Sequence, residues 1–163
     1  MDAGRRSIKV ETANRQSRAV NAARLARAVR RVLKTEDAAP AVVSLAIVDD
    51  GTMHQLNRRY LDHDYPTDVL SFLLSEDDEE PLQGEIVVSA DTAAAEAERY
   101  GWSLDDELLL YVIHGALHLV GYDDHAPRDR REMRDWERYH LSSFGLSPRY
   151  DEAEAADEEG DAA

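Results

Sequence analysis

The sequence predicts an α+β domain of four short strands and about five helices on one core, spanning residues 1–148, with an acidic tail at 149–163. Three observations predict it. Short β-branched apolar runs alternate along the chain with segments of helical periodicity. Gly, Pro and Asp clusters separate them. The 163 residues fit one core without internal repeats.

The elements follow in order. Residues 7–12 (SIKVET) predict a short strand. Residues 16–34 predict a helix, because Leu25, Val29, Val32 and Leu33 recur at i, i+4, i+7 and i+8 on one face. Arg24, Arg27, Arg31 and Lys34 form a basic stripe on another side. The stripe reads either as a solvated face or as a surface for phosphates. Residues 41–48 (AVVSLAIV) form a nearly continuous apolar strand, ended by the turn signal Asp49-Asp50-Gly51. Thr52 can cap a helix running to about Asp62, and Pro66 breaks the pattern.

Residues 67–73 (TDVLSFL) and 85–89 (EIVVS) predict two more strands, separated by the like-charge block EDDEE at 76–80, an exposed loop. Asp91 can cap a helix ending near Gly101. Ser103 to Asp106 resembles a capping box opening a helix over 104–120, which Gly121 is placed to end. A last helix covers about 128–144, with Gly145 beyond it. The tail, with seven acids and no aromatic over 151–163, reads as disordered. Periodicity leaves the strand order open.

Composition excludes several classes. There is no cysteine, hence no disulfide, thiolate ligand or cysteine nucleophile. The longest apolar run, 108–120, is too short to cross a bilayer and the N-terminus lacks an apolar signal core, so the expectation is a soluble cytoplasmic protein. Net charge is −15, but unevenly spread: the first 34 residues carry ten basic and two acidic side chains. Two lysines against seventeen arginines in an acidic chain also resembles proteins adapted to high salt.

The most informative stretch is HGALHLVGYDDH, His114 to His125. Residues i and i+4 of a helix share a face, so His114 and His118 can direct two imidazoles at one ion. Gly115 and Ala116 between them leave room beside the site, and Gly121 lets the chain turn back with a third ligand, Asp124 or His125. Three protein ligands leave a fourth position for water, as in catalytic zinc sites. The bland alternative is two buried histidines bonded to backbone carbonyls. The helix lacks the glutamate of the H-E-x-x-H proteases, since Gly115 occupies that position. His54, His63 and His140 have no such partners and read as surface or capping residues.

These motifs resemble the YbeY endoribonucleases, zinc-dependent bacterial enzymes of rRNA maturation. The family pattern H-G-x-L-H-L-x-G-Y-D-H is matched by His114, Gly115, Leu117, His118, Leu119, Gly121, Tyr122 and Asp123. A second signature appears as Leu56, Asn57, Tyr60 and Thr67 to Phe72, a third as Gly84 to Ser89, and Met133 and Glu137 match the closing helix. The resemblance implies a small mixed sheet packed by helices with the zinc helix at its centre. It implies one zinc ion per chain and cleavage of single-stranded RNA. It also implies a role in 16S rRNA 3′-end processing, ribosome quality control and small-subunit assembly. Implied partners are the 16S precursor, the small subunit and assembly factors, with neither membrane nor DNA among them.

Two positions depart from the pattern. The family's third histidine falls at Asp124, with His125 one later, and the family's arginine after the tyrosine falls at Leu61. Asp124 keeps the offset of ten from His114 and is the expected third ligand, with His125 as the alternate. Arg59 and His63 are the candidates for the missing cation: either could hold the phosphate, and His63 could protonate the leaving oxygen.

Overall fold

A computed structural model describes residues 7–60, 68–76 and 81–148. The elements are β1 (Ile8–Asn14), α1 (Ala22–Thr35), β2 (Ala41–Val48), α2 (Asp50–Tyr60), β3 (Val69–Leu73), β4 (Leu82–Ser89), α3 (Ala90–Tyr100), α4 (Leu104–Leu119) and α5 (Pro127–Ser142). The strand order is β1-β2-β4-β3. β2 pairs in parallel with β1 and β4, while β3 runs antiparallel to β4, giving the expected mixed sheet.

Side-chain alternation divides the sheet into two faces. Val10, Val43, Leu45, Ile47, Ile86 and Val88 join the larger core with the buried residues of α1 and α4. Val48, Leu70 and Val87 form a smaller cluster with Met53 on the other face, under α2. Helix α4 is central. Its residues from Glu107 to Ile113 are all buried, and it touches the sheet, α1, α3 and α5.

Gly115 permits that central position. A Cβ there would lie 2.9 Å from Ile86 Cγ2 and 3.0 Å from Ser71 Oγ. The Ser71 hydroxyl donates to the Gly115 carbonyl at 3.0 Å. Gly115 therefore brings the helix against β3 and β4, rather than leaving room on the histidine face.

Several boundaries differ from the sequence expectation. Helix α1 begins at Ala22, six residues later than expected, because Gln16 holds a local turn through its bonds to Asn14 Oδ1 and to the backbone of Arg18. Asn21 then caps the helix by accepting from the Arg24 N–H. The Thr52 N–H donates to Asp49 Oδ1 at 2.8 Å, so Asp49, not Thr52, closes the start of α2. Ser89 rather than Asp91 caps α3, and Asp91 instead accepts from the Asp50 N–H and from Arg18. Strand β4 starts at Leu82, extended by its parallel pairing with β2.

The basic stripe of α1 is largely engaged. Arg24 pairs with Asp106 at 3.1 Å, Arg24 and Arg27 lie over the Phe144 ring, and Arg31 lies over Tyr139. These contacts fasten α1 to α4 and to the α5 end of the domain. Pro66, Asp62, most of the EDDEE block and the tail 149–163 lie outside the described residues. No helix among the described residues is long and apolar enough to cross a membrane.

Candidate metal centre

Helix α4 projects Glu107, Tyr111, His114 and His118 at successive steps of four, three and four, so they share one face. After Leu119 the helix closes as a Schellman motif: the Tyr122 N–H donates to the Leu117 carbonyl and the Gly121 N–H to that of His118. Gly121 has φ +104°, a conformation that a side chain would strain. The chain thereby reverses and returns Asp124 to the histidines.

The three side chains converge. His114 Nε2 and His118 Nε2 are 3.0 Å apart. Asp124 Oδ2 lies 3.4 Å from His114 Nε2, and Asp124 Oδ1 lies 3.7 Å from His118 Nε2. One ligand atom from each residue lies within 4.8 Å of the others, and together they could hold a metal ion. His125 is directed elsewhere. Its side chain is 88% exposed and its Nε2 is 3.4 Å from Asp123 Oδ1.

A buried carboxylate orients the first histidine. Glu137 of α5, 3% exposed, places Oε1 2.8 Å from His114 Nδ1. Such a bond keeps the proton on Nδ1 and leaves Nε2 as the free donor atom. Burial alone would lower the proton affinity of His114, but the bond to Glu137 and the charges of Glu137 and Asp124 outweigh it and raise it. His118 is lowered by burial and by the neighbouring His114.

His114 and Asp124 open into a cleft of about 550 Å³ between α3, α4 and α5. Arg130 and Arg134 of α5 supply its cations, and the Arg130 Nε–H donates to the Asp124 carbonyl at 3.4 Å. Its far wall holds Trp102, Glu107 and Tyr111. The Trp102 indole N–H donates to Glu107 Oε2 at 2.5 Å. Burial pushes the Glu107 carboxyl up to about 7, against the lowering effect of its hydrogen bonds, and burial with Glu107 nearby pushes the Tyr111 phenol well above its ordinary range.

Of the residues anticipated for the site, His114, His118 and Asp124 come together. Arg59 is exposed on α2, which packs on the opposite face of the sheet, and it is not among the cleft residues. His63 lies outside the described residues. Arg130, Arg134 and the orienting contact of Glu137 were not anticipated. Their signal is the i, i+4, i+7 spacing on α5, a charged stripe that ends on Glu137.

Residues 10–145 match the family model described as Endoribonuclease YbeY. A curated relative of that name from Salinibacter ruber is 40% identical over 139 residues, covering 81% of this chain and 88% of the relative. Another, from Desulfitobacterium hafniense, is 42% identical over 131 residues, covering 75% and 82%. A solution structure of a Thermotoga maritima protein shares the fold, with a TM-score of 0.58 at 24% identity, covering 88% of this chain and 95% of that one. By the extent of these matches and the order of its motifs, the chain belongs to the YbeY endoribonuclease family.

Proposed function

We propose that this protein is a zinc-dependent endoribonuclease that cuts single-stranded RNA, acting in 16S rRNA 3′-end maturation and small-subunit assembly in the cytoplasm. The observation that carries the reading is the convergence of His114, His118 and Asp124 at the head of a cleft, with Glu137 fixing the tautomer of His114. Family membership supports RNA as substrate.

Two imidazoles and a carboxylate suit one zinc ion and leave a position for water or substrate. When bound, the ion supplies Lewis-acid chemistry, acidifying water and offsetting charge on a phosphoryl oxygen. The protein's own groups do the rest. Glu137 keeps the His114 Nε2 lone pair pointed at the site. Arg130 restrains the Asp124 loop through its bond to the carbonyl. With Arg134, it supplies positive charge in an otherwise acidic cleft, where a phosphodiester needs it. His63 is proposed as a further phosphate contact and as a donor to the leaving oxygen, and Arg59, outside the cleft, as a phosphate contact farther along the strand. An unpaired RNA strand suits such a cleft, since its backbone can bend and splay its bases.

The test compares wild type with His114→Ala on a single-stranded rRNA fragment in the presence of zinc. Cleavage is expected to fall roughly a thousandfold or more, corresponding to several kcal/mol of lost electrostatic stabilisation. Equal cleavage by both proteins would sink the assignment.

A further inference from the structure

We infer that the far wall of the cleft, formed by Trp102, Glu107 and Tyr111, is a nucleobase subsite that favours bases with an amino group on the pairing edge over uracil. The inference rests on the endoribonuclease reading for its substrate and adds what that reading lacks, a means of choosing where on a strand to cut.

The wall is an unusual thing to bury. Glu107 is 3% exposed and Tyr111 4%. Both face the cleft, one and two turns before His114 on the same helix face. The Tyr111 hydroxyl is buried beside the Glu107 carboxyl, with no well-formed hydrogen bond among the described residues. An orphaned buried hydroxyl costs free energy unless something completes it. Glu107 uses Oε2 to hold the Trp102 indole, which fixes the plane of that ring at the cleft wall. A carboxylate, a phenol and an indole then stand together in one recess.

That combination matches a base. Aromatic rings offer a stacking surface that every base can use. A carboxylate accepts from an exocyclic amino group, as in contacts to cytosine N4. Uracil places a carbonyl oxygen where cytosine and adenine carry the amino group, and a ring N–H where they offer an acceptor nitrogen, so both partners of the wall meet the wrong group. The Tyr111 hydroxyl can donate to a ring nitrogen or a carbonyl beside that amino group. Spacing agrees too. Seven residues of helix separate Glu107 from His114, about 10 Å along the axis at 1.5 Å per residue. That reach suits a base lying one nucleotide from a phosphate held at the histidines. The wall carries no cation of its own, so it recognises the base rather than the backbone.

At pH 8.5, where the Glu107 carboxyl is ionised, the experiment titrates the full-length, isotopically labelled protein with cytidine, adenosine and uridine 5′-monophosphates, following the Trp102 indole N–H resonance, assigned by its loss in Trp102→Phe. Cytidine and adenosine monophosphates are expected to shift that resonance and to bind roughly tenfold more tightly than uridine monophosphate, the size of one good base contact. Glu107→Gln should reduce the ratio to within about twofold, and Tyr111→Phe should weaken the cytidine and adenosine nucleotides more than the uridine one. Equal binding of uridine monophosphate by wild type overturns the inference, as does full discrimination retained in Glu107→Gln. If Glu107→Gln fails to fold, discrimination unchanged in both Tyr111→Phe and Trp102→Phe, followed by calorimetry, overturns it equally. Failure of the endoribonuclease reading is separate: a zinc-loaded protein that cuts no RNA sinks that reading, while the binding ratios still decide the subsite.

Discussion

His114 is partly buried and His140 fully so, and their surroundings are opposite. His114 meets the Glu137 carboxylate at 2.8 Å and gains proton affinity from it. His140 is 0% exposed, and neither ring nitrogen has a hydrogen-bond partner among the described residues. It stacks on Trp136 with ring centroids 6.0 Å apart, and burial with the Arg31 charge pushes it down to about 4. Glu137 stands only three positions before His140 on α5. Its carboxylate serves the histidine 23 residues away instead of its neighbour. The difference teaches that a functional histidine is identified by what its second nitrogen touches, more than by burial.

The comparison breaks most clearly at the ligands. Asp124→Ala is expected to weaken zinc binding by roughly a hundredfold or more, beyond what loss of an orienting partner usually costs. His125→Ala should change it by less than about threefold, because its side chain lies outside the donor set. Competition against a chromophoric chelator reads both constants. The reverse order would mean that the loop slips by one residue in the metal-bound protein and His125 takes the position.

Next in size is the orienting carboxylate itself. Glu137→Ala should lower zinc affinity or cleavage by roughly 10- to 100-fold, the usual effect of removing the partner of a ligating histidine. Unchanged affinity would place His114 on the same footing as His140, as a histidine whose neighbours are packing alone.

How much of this was legible depended on sequence distance. Helix α4 carried its own start in Ser103, its own stop in Gly121 and two histidines one turn apart, and all three are local signals. The β2 run was equally plain. The caps of α2 and α3 were not, because neighbouring residues were all capable and tertiary contacts chose among them: Asp91 is occupied by the Asp50 N–H and Arg18, leaving Ser89 to cap. Gly115 looked like space for the metal and instead answers to Ile86 and Ser71 across the sheet. His140 looked like a surface or capping residue and is fully buried, packed against the Trp136 and Tyr139 rings with Arg31 of α1 nearby. Glu137 could be placed in a motif, but its partner could not be read, since periodicity within one helix does not say which helix lies opposite.

The smallest expected effect concerns the other histidine and its sign is fixed. His140 titrates near 4 when folded and near 6.5 when unfolded, so the unfolded chain takes up its proton first as pH falls. The native state is therefore favoured above pH 6.5, and this advantage is lost as pH drops from about 6.5 through about 4, by up to about 1.4 kcal/mol per pH unit. His140→Leu removes the titrating group and two unpaired nitrogens while keeping an apolar side chain of similar size. At pH 8 the substitution should change stability by less than about 1.5 kcal/mol. At pH 5 it should be more stable than wild type, with zinc affinity unaltered at both values. Urea denaturation across that range measures the difference. A gap between the two proteins that does not widen as pH falls would show that the His140 ring finds a proton acceptor in the folded protein, and the contrast with His114 would then be one of degree.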